Sequence, residues 1–161
     1  MQEAWSIIDV LLKKRYELAP RLVEIVEGYN LYEKSQLETI TRLRGEAMLE
    51  ENRETKIKAE SLFGRTIDHL FLHTEDYPEL KANQLFLKLQ IQLTELENEL
   101  EKARRYYNGT VRENNIMQES FPSNLIAKLF SFSKGVFFQQ TPTSGRNPQH
   151  HFVTSFPAKR L

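Results

Sequence analysis

His69 and His73 stand four residues apart, a spacing that presents two imidazoles to one metal ion from one helix face. Asp76 would supply a third ligand from the next turn. No acid stands between the histidines in the zinc-protease arrangement. The Glu-x-x-His pairs of di-metal carboxylate bundles are missing too: Thr66 is three residues before His69, and Leu70 three before His73. The pair therefore reads as two polar side chains flanking a core face, and no metal or other cofactor is expected. His150 and His151 fall in a stretch without helical pattern.

Other chemistries fare no better. The chain has no cysteine, which removes disulfides, thiolate catalysis and thiolate zinc sites. There is no Gly-x-Ser-x-Gly elbow, phosphate-cradling loop or dinucleotide fingerprint. Glu95, Glu97, Glu99 and Glu101 alternate along a helical stretch, which spreads them around a rod as solvated surface. Asn108-Gly109-Thr110 matches a glycosylation acceptor but lies within helical pattern, where coincidence is the simpler reading. Asp9, Arg15, Glu75, Glu97, Arg104, Asn108 and Asn114 sit on or beside apolar stripes. They either line a binding site or fix helix register through hydrogen bonds and ion pairs, and the second is the simpler reading. The expectation is a protein that is not an enzyme and takes no small-molecule substrate.

The elements that must position these residues are helices. Trp5, Ile8, Leu11 or Leu12, Leu18, Leu22, Ile25 and Val26 recur at three- and four-residue steps and predict a helix over 2–29. Pro20 inside it predicts a kink, and Gly28 a stop. A second helix over about 33–49 would turn Leu37, Ile40, Leu43 or Arg44, and Ala47 or Met48 inward; the alternative is one kinked helix from 2 to 49. Residues 54–76 form the next, carried by Ile57, Leu62 or Phe63, Ile67, Leu70 and Phe71, and ended by Asp76-Tyr77-Pro78. From 82 to 119 the stripe Phe86, Leu89, Leu93, Leu96, Leu100, Ala103, Tyr107, Thr110, Asn114, Met117 predicts a rod of about 55 Å, continuing through Asn108-Gly109. Ser123 can cap a short helix over 124–131. The fold class is all-α: an antiparallel up-and-down bundle of four long helices, the first kinked at Pro20, with a short C-terminal amphipathic helix. The domains are a bundle over 1–119, a short amphipathic and aromatic segment over 120–138, and a disordered tail over 139–161.

Charge is unevenly spread. From Ser120 onward the chain has Lys128, Lys134, Arg146, Lys159 and Arg160 and no acid. Of 22 basic and 22 acidic residues, 17 basic and all 22 acidic therefore fall in 1–119. An acidic body argues against nucleic acid as a partner. A basic, aromatic end is suited to an anionic membrane surface, or is merely solubilising. The segment "SFPSNLIAKLFSF" is the greasiest part of this end. Four alternating helices return the chain to its starting end, placing this segment beside Met1. Leu125, Ile126, Leu129 and Phe130 then form one apolar face, followed by Phe132. That face either lies in a lipid interface with Lys128 or folds onto the bundle as a lid. Burying four such side chains is worth about 6–12 kcal/mol before entropy losses. Leu125, Ile126, Lys128, Leu129, Phe130 and Phe132 are thus the candidate partner or lipid contacts.

The ordered set "EAWSIIDVLLKKRYELAPRLVEIVEGY", "EDYPELKANQLFLKLQIQLTELE", "ARRYYNGTV" and "SFPSNLIAKLF" resembles the LemA family of bacterial proteins from about residue 2 to 138. Trp5, Asp9, Pro20, Tyr77, Pro78, Phe86, Arg104, Tyr107, Asn108, Phe121 and Pro122 are among the matching positions. The resemblance implies an up-and-down helical bundle behind a short N-terminal transmembrane anchor ending just before "EAWS", where this chain begins. It implies a place at the bacterial cytoplasmic membrane and brings no enzymatic activity or catalytic residue set. One relative is associated with magnetosome membranes. Lys13, Lys14 and Arg15, close to such an anchor, favour a cytoplasmic body. The chain itself has no apolar run of about 18 residues and is expected to be soluble. A scaffold or adaptor for protein partners is the resulting expectation, with a peripheral lipid-binding module through residues 120–138 as the alternative.

Overall fold

A computed structural model describes residues 1–29 and 32–138. The expected tail disorder over 139–161, and His150 and His151, lie outside the described residues. Within them every regular element is a helix and there is no strand: α1 (Gln2–Glu27), α2 (Lys34–Leu49), α3 (Arg53–Thr74), α4 (Pro78–Lys81), α5 (Gln84–Glu119) and α6 (Ser123–Leu129).

Local chemistry sets most of these boundaries. Asn52 caps α3 by accepting from the Glu54 and Thr55 amides, and Asn83 caps α5 by accepting from Leu85 and Phe86. The separate helices α1 and α2 replace the alternative of one rod to residue 49; Gly28 closes α1 from the right-handed region (φ −60°), without the left-handed turn glycine often supplies. Pro20 lies inside α1, which continues on both sides of it. The Asp76-Tyr77-Pro78 break becomes a single turn, α4, with Pro78 in its first turn, where no amide donor is missed, and Leu80 fully buried. Ser123 differs from expectation. Its hydroxyl donates backwards to the carbonyls of Met117 and of Ser120 (2.9 Å), so it closes the end of α5 instead of capping α6.

One apolar core runs through the molecule, and Ile8, Leu12, Leu22, Phe63, Leu70, Phe86 and Leu100 are at most 1% exposed. Trp5 packs against Tyr107 and Asn83 reaches Tyr29, so α1 and α5 lie side by side in opposite directions. Lys56 meets Asp9 and Glu60 meets Tyr16, so α3 follows α1 in the same direction. Arg44 Nε donates to the Tyr16 carbonyl (2.6 Å) and holds α2 beside both.

The stripe on α5 changes beyond Tyr107. Val111 is buried there, whereas Thr110 and Asn114 are half-buried and Met117 is exposed. The reason is a change of neighbour: here the segment around Gly135 meets Val111 and Asn115. The 36 residues of α5 span about 54 Å and the 26 of α1 about 39 Å. Residues 133–138 run back along the last turns of α5 and are hydrogen-bonded to it. Ser131, in the left-handed region (φ 51°), makes the reversal.

Candidate functional site

The end of the molecule where α1 starts and α5 stops carries three features: an exposed apolar helix, a clasped extended segment and, deeper in, a buried ion network.

The apolar helix is α6. Leu125, Ile126, Leu129, Phe130 and Phe132 are all more than half exposed, with Leu129 at 79%. The face that a lid would bury is turned to the outside. A cleft of about 210 Å³ lies under α6, lined by Asn114, Met117, Gln118, Ser123, Ile126, Ala127 and Phe132. Asn114 Nδ2 at its wall is buried and lacks a hydrogen-bond partner among the described residues. The Met1 thioether packs against the following segment at Gly135, so α6 and the start of α1 share one end.

Residues 133–138, not α6, cover the core. Phe138 is 2% exposed. Its ring lies 6.3 Å from Trp5, and the Arg104 guanidinium sits 4.7 Å above its centroid. The main chain is gripped by side chains of α5. Asn108 donates to the Phe138 carbonyl (2.8 Å) and accepts from the Phe138 amide (2.7 Å). Asn115 does the same at Gly135, donating at 3.2 Å and accepting at 2.9 Å. Tyr107 donates to Val136 O and Gln118 to Ser133 O.

The ion network joins α1, α3 and α5. Arg15 is 3.8 Å from Glu60 and 3.3 Å from Glu97, and Arg104 is 2.9 Å from Glu97. Tyr16 donates to Glu60. Glu60 is fully buried; burial pushes its carboxyl above the usual range, against the opposing pull of Arg15, the Tyr16 hydroxyl and Arg104. Burial, then the neighbouring Glu60 charge, likewise push the Tyr16 hydroxyl upward. A separate pair of contacts, Lys56 at 3.0 Å and Lys13 at 3.1 Å, holds Asp9. Burial raises that carboxyl, but the two lysines together outweigh it and hold it below its ordinary value.

Of the polar residues singled out by sequence, Asp9, Arg15, Glu97, Arg104 and Asn108 thus serve helix–helix or helix–segment contacts, as the register reading expects. Sequence reasoning missed Tyr16, Glu60, Asn115 and Gln118. A signal existed: Ile57, Glu60, Gly64 and Ile67 recur at helical steps, and so do Asn108, Val111, Asn115 and Gln118, one residue out of phase with the stripe followed above. His69 and His73 stack edge to face at 5.9 Å, with Tyr32 against His73. Among the described residues no group of three or more histidines, aspartates and glutamates is placed to hold a metal ion, so Asp76 is not brought in as a third ligand.

This arrangement defines an all-helical protein whose interior polar groups join its helices and which carries an exposed apolar helix at one end. The chain belongs to the LemA family, whose sequence profile matches residues 4–152. It is similar to Protein LemA of Metamycoplasma hominis, 24% identical over 140 residues, which cover 86% of this chain and 64% of the relative. It is also similar to Magnetosome proteins MamQ 1 and MamQ 2 of Paramagnetospirillum magneticum, each 26% identical over 84 residues, 52% of this chain and 31% of the relative. The chain thus spans less than two thirds of the length of each. Among the described residues no helix is long and apolar enough to cross a membrane.

Proposed function

We propose that this protein is a non-enzymatic helical scaffold that works at a bacterial membrane and binds other proteins there. Its four long helices act as one antiparallel up-and-down bundle that presents its C-terminal end to partners. The observation that carries this reading is the exposed apolar face of Leu125, Ile126, Leu129 and Phe130, at the end where α1 begins. An apolar surface of this kind marks an interaction site. Membership of the LemA family and similarity to two magnetosome proteins support a membrane setting.

A second reading, a peripheral lipid-binding module through residues 120–138, is favoured by the absence of any acid in that segment and the presence of Lys128 and Lys134. A photo-crosslinking residue at Leu129, activated in native membranes, separates the two. Discrete protein adducts support the scaffold; adducts to lipid alone support the lipid module. No adduct of either kind, with the chain folded, removes both.

A further inference from the structure

The clasp on residues 133–138 is built like a peptide-binding site. Seven hydrogen bonds join α5 side chains to the segment, and six of them are made with its main chain. Asn108 and Asn115 are two helical turns apart, about 10.5 Å along α5. Gly135 and Phe138, the residues they hold, are three extended residues apart, about 10 Å. The two spacings match, so a helix reads an extended chain as a neighbouring strand would.

Side-chain selection occurs at two positions. A Cβ at Gly135 would lie 2.9 Å from the Met1 sulfur and 3.1 Å from Val111, so a larger residue fits only if the Met1 and Val111 side chains give way. Three residues on, Phe138 fills a place bounded by Trp5 and Arg104. Val136 and Phe137 between them are more than two fifths exposed. They contribute little to selection.

We propose that this face of α5, with Trp5, is a recognition groove for extended polypeptide of the pattern Gly-x-x-Phe, and that residues 133–138 are its tethered occupant, which a partner's segment of that pattern can replace. The inference stands apart from whether α6 meets lipid or protein.

Trp5 is the chain's single tryptophan and touches the groove, so its emission reports occupancy. The probe is the capped peptide Ser-Lys-Gly-Val-Phe-Phe, titrated without vesicles into the full chain. A tethered occupant competes at an effective concentration of order millimolar. The wild-type chain should therefore bind the peptide weakly. Phe138→Ala, or Gly135→Val as a second way to loosen the occupant, should bind it at least about tenfold more tightly and shift Trp5 emission back toward wild type. Adding Asn108→Ala should abolish this gain, and a peptide with valine for glycine should not bind. The inference is overturned if both loosened variants keep native circular dichroism yet ignore the peptide, or if the valine peptide binds as well. Sedimentation at rising concentration covers the remaining occupant. A wild-type dimer with unchanged Trp5 emission would seat a second copy's segment in the groove and overturn its assignment to a foreign partner.

Discussion

Asn108 holds Phe138 by both of its main-chain polar groups, accepting from the amide at 2.7 Å and donating to the carbonyl at 2.8 Å. One mid-helix side chain thereby fixes the point at which the chain returns to cover the far end of the core. An asparagine there is unfavourable to the helix by about half a kcal/mol relative to alanine. That loss is small beside the two bonds it makes.

Asn108→Ala leaves both Phe138 groups without partners on α5, a loss of about 1–3 kcal/mol that acts locally. Hydrogen exchange should show the Phe138 amide opening at least about tenfold faster while α3 amides keep their wild-type rates. Asn108→Asp keeps the acceptor but turns a like charge toward the carbonyl, so it should rescue the amide's protection only in part.

Leu100 is fully buried and Leu125 is 60% exposed. Leu100→Ala should lower unfolding free energy by about 2–5 kcal/mol in urea denaturation. Leu125→Ala should change it by no more than about 0.5 kcal/mol. A large loss at Leu125 would mean that α6 is part of the core and not surplus surface.

Asp9 and Glu60 should bend the pH dependence of stability in opposite senses. The folded carboxyl of Asp9 is lowered, so its contribution is present above the unfolded value of about 3.9 and is lost as pH falls through the folded value. Glu60 is raised, so its contribution is complete below about 4.3 and is lost as pH rises through the folded value. In denaturation series across pH, Asp9→Asn should flatten the acid limb and Glu60→Gln the decline above about pH 4. An unchanged decline in the Glu60→Gln chain would remove Glu60 from this account.

Gly64 lies where α3 passes the Arg15 guanidinium; a Cβ there would come within 2.9 Å of Nη2. Alanine improves the helix by about 1 kcal/mol but pushes Arg15 away from Glu60 and Glu97, in a buried pair whose disruption costs about 3–5 kcal/mol. Gly64→Ala should therefore destabilise the wild-type chain. With Arg15→Ala the obstacle is gone, and the same change should stabilise by about 1 kcal/mol. A double-mutant cycle measures that reversal of sign.

Periodicity in the sequence located the helices closely because burial on one face leaves a repeat that any rod must show. On α2 the repeat points to Leu37 and Ile40 and leaves Leu43 or Arg44 and Ala47 or Met48 open; packing buries Leu43 and Ala47. The same method failed past Tyr107. It carried the stripe on to Asn114 and Met117, whereas the covered positions there depend on the returning segment, which meets Val111 and Asn115. It also overlooked Glu60, which occupies an inward position of its repeat but is a residue type seldom buried unless paired. Its partners Arg15 and Tyr16 both stand on α1, more than forty residues away, and no local pattern encodes that.

By itself the sequence determined the helical class, the family, the break at Asp76-Tyr77-Pro78, and the acid-free apolar stretch after Ser120, because each shows in the order of residues along the chain. Only the tertiary structure decided that α6 keeps its apolar face outside, that Phe138 closes the core, and that Asn108 and Asn115 grip a main chain. Those outcomes depend on contacts between separate segments, such as Asn115 with Gly135 and Asn108 with Phe138, which no local pattern records.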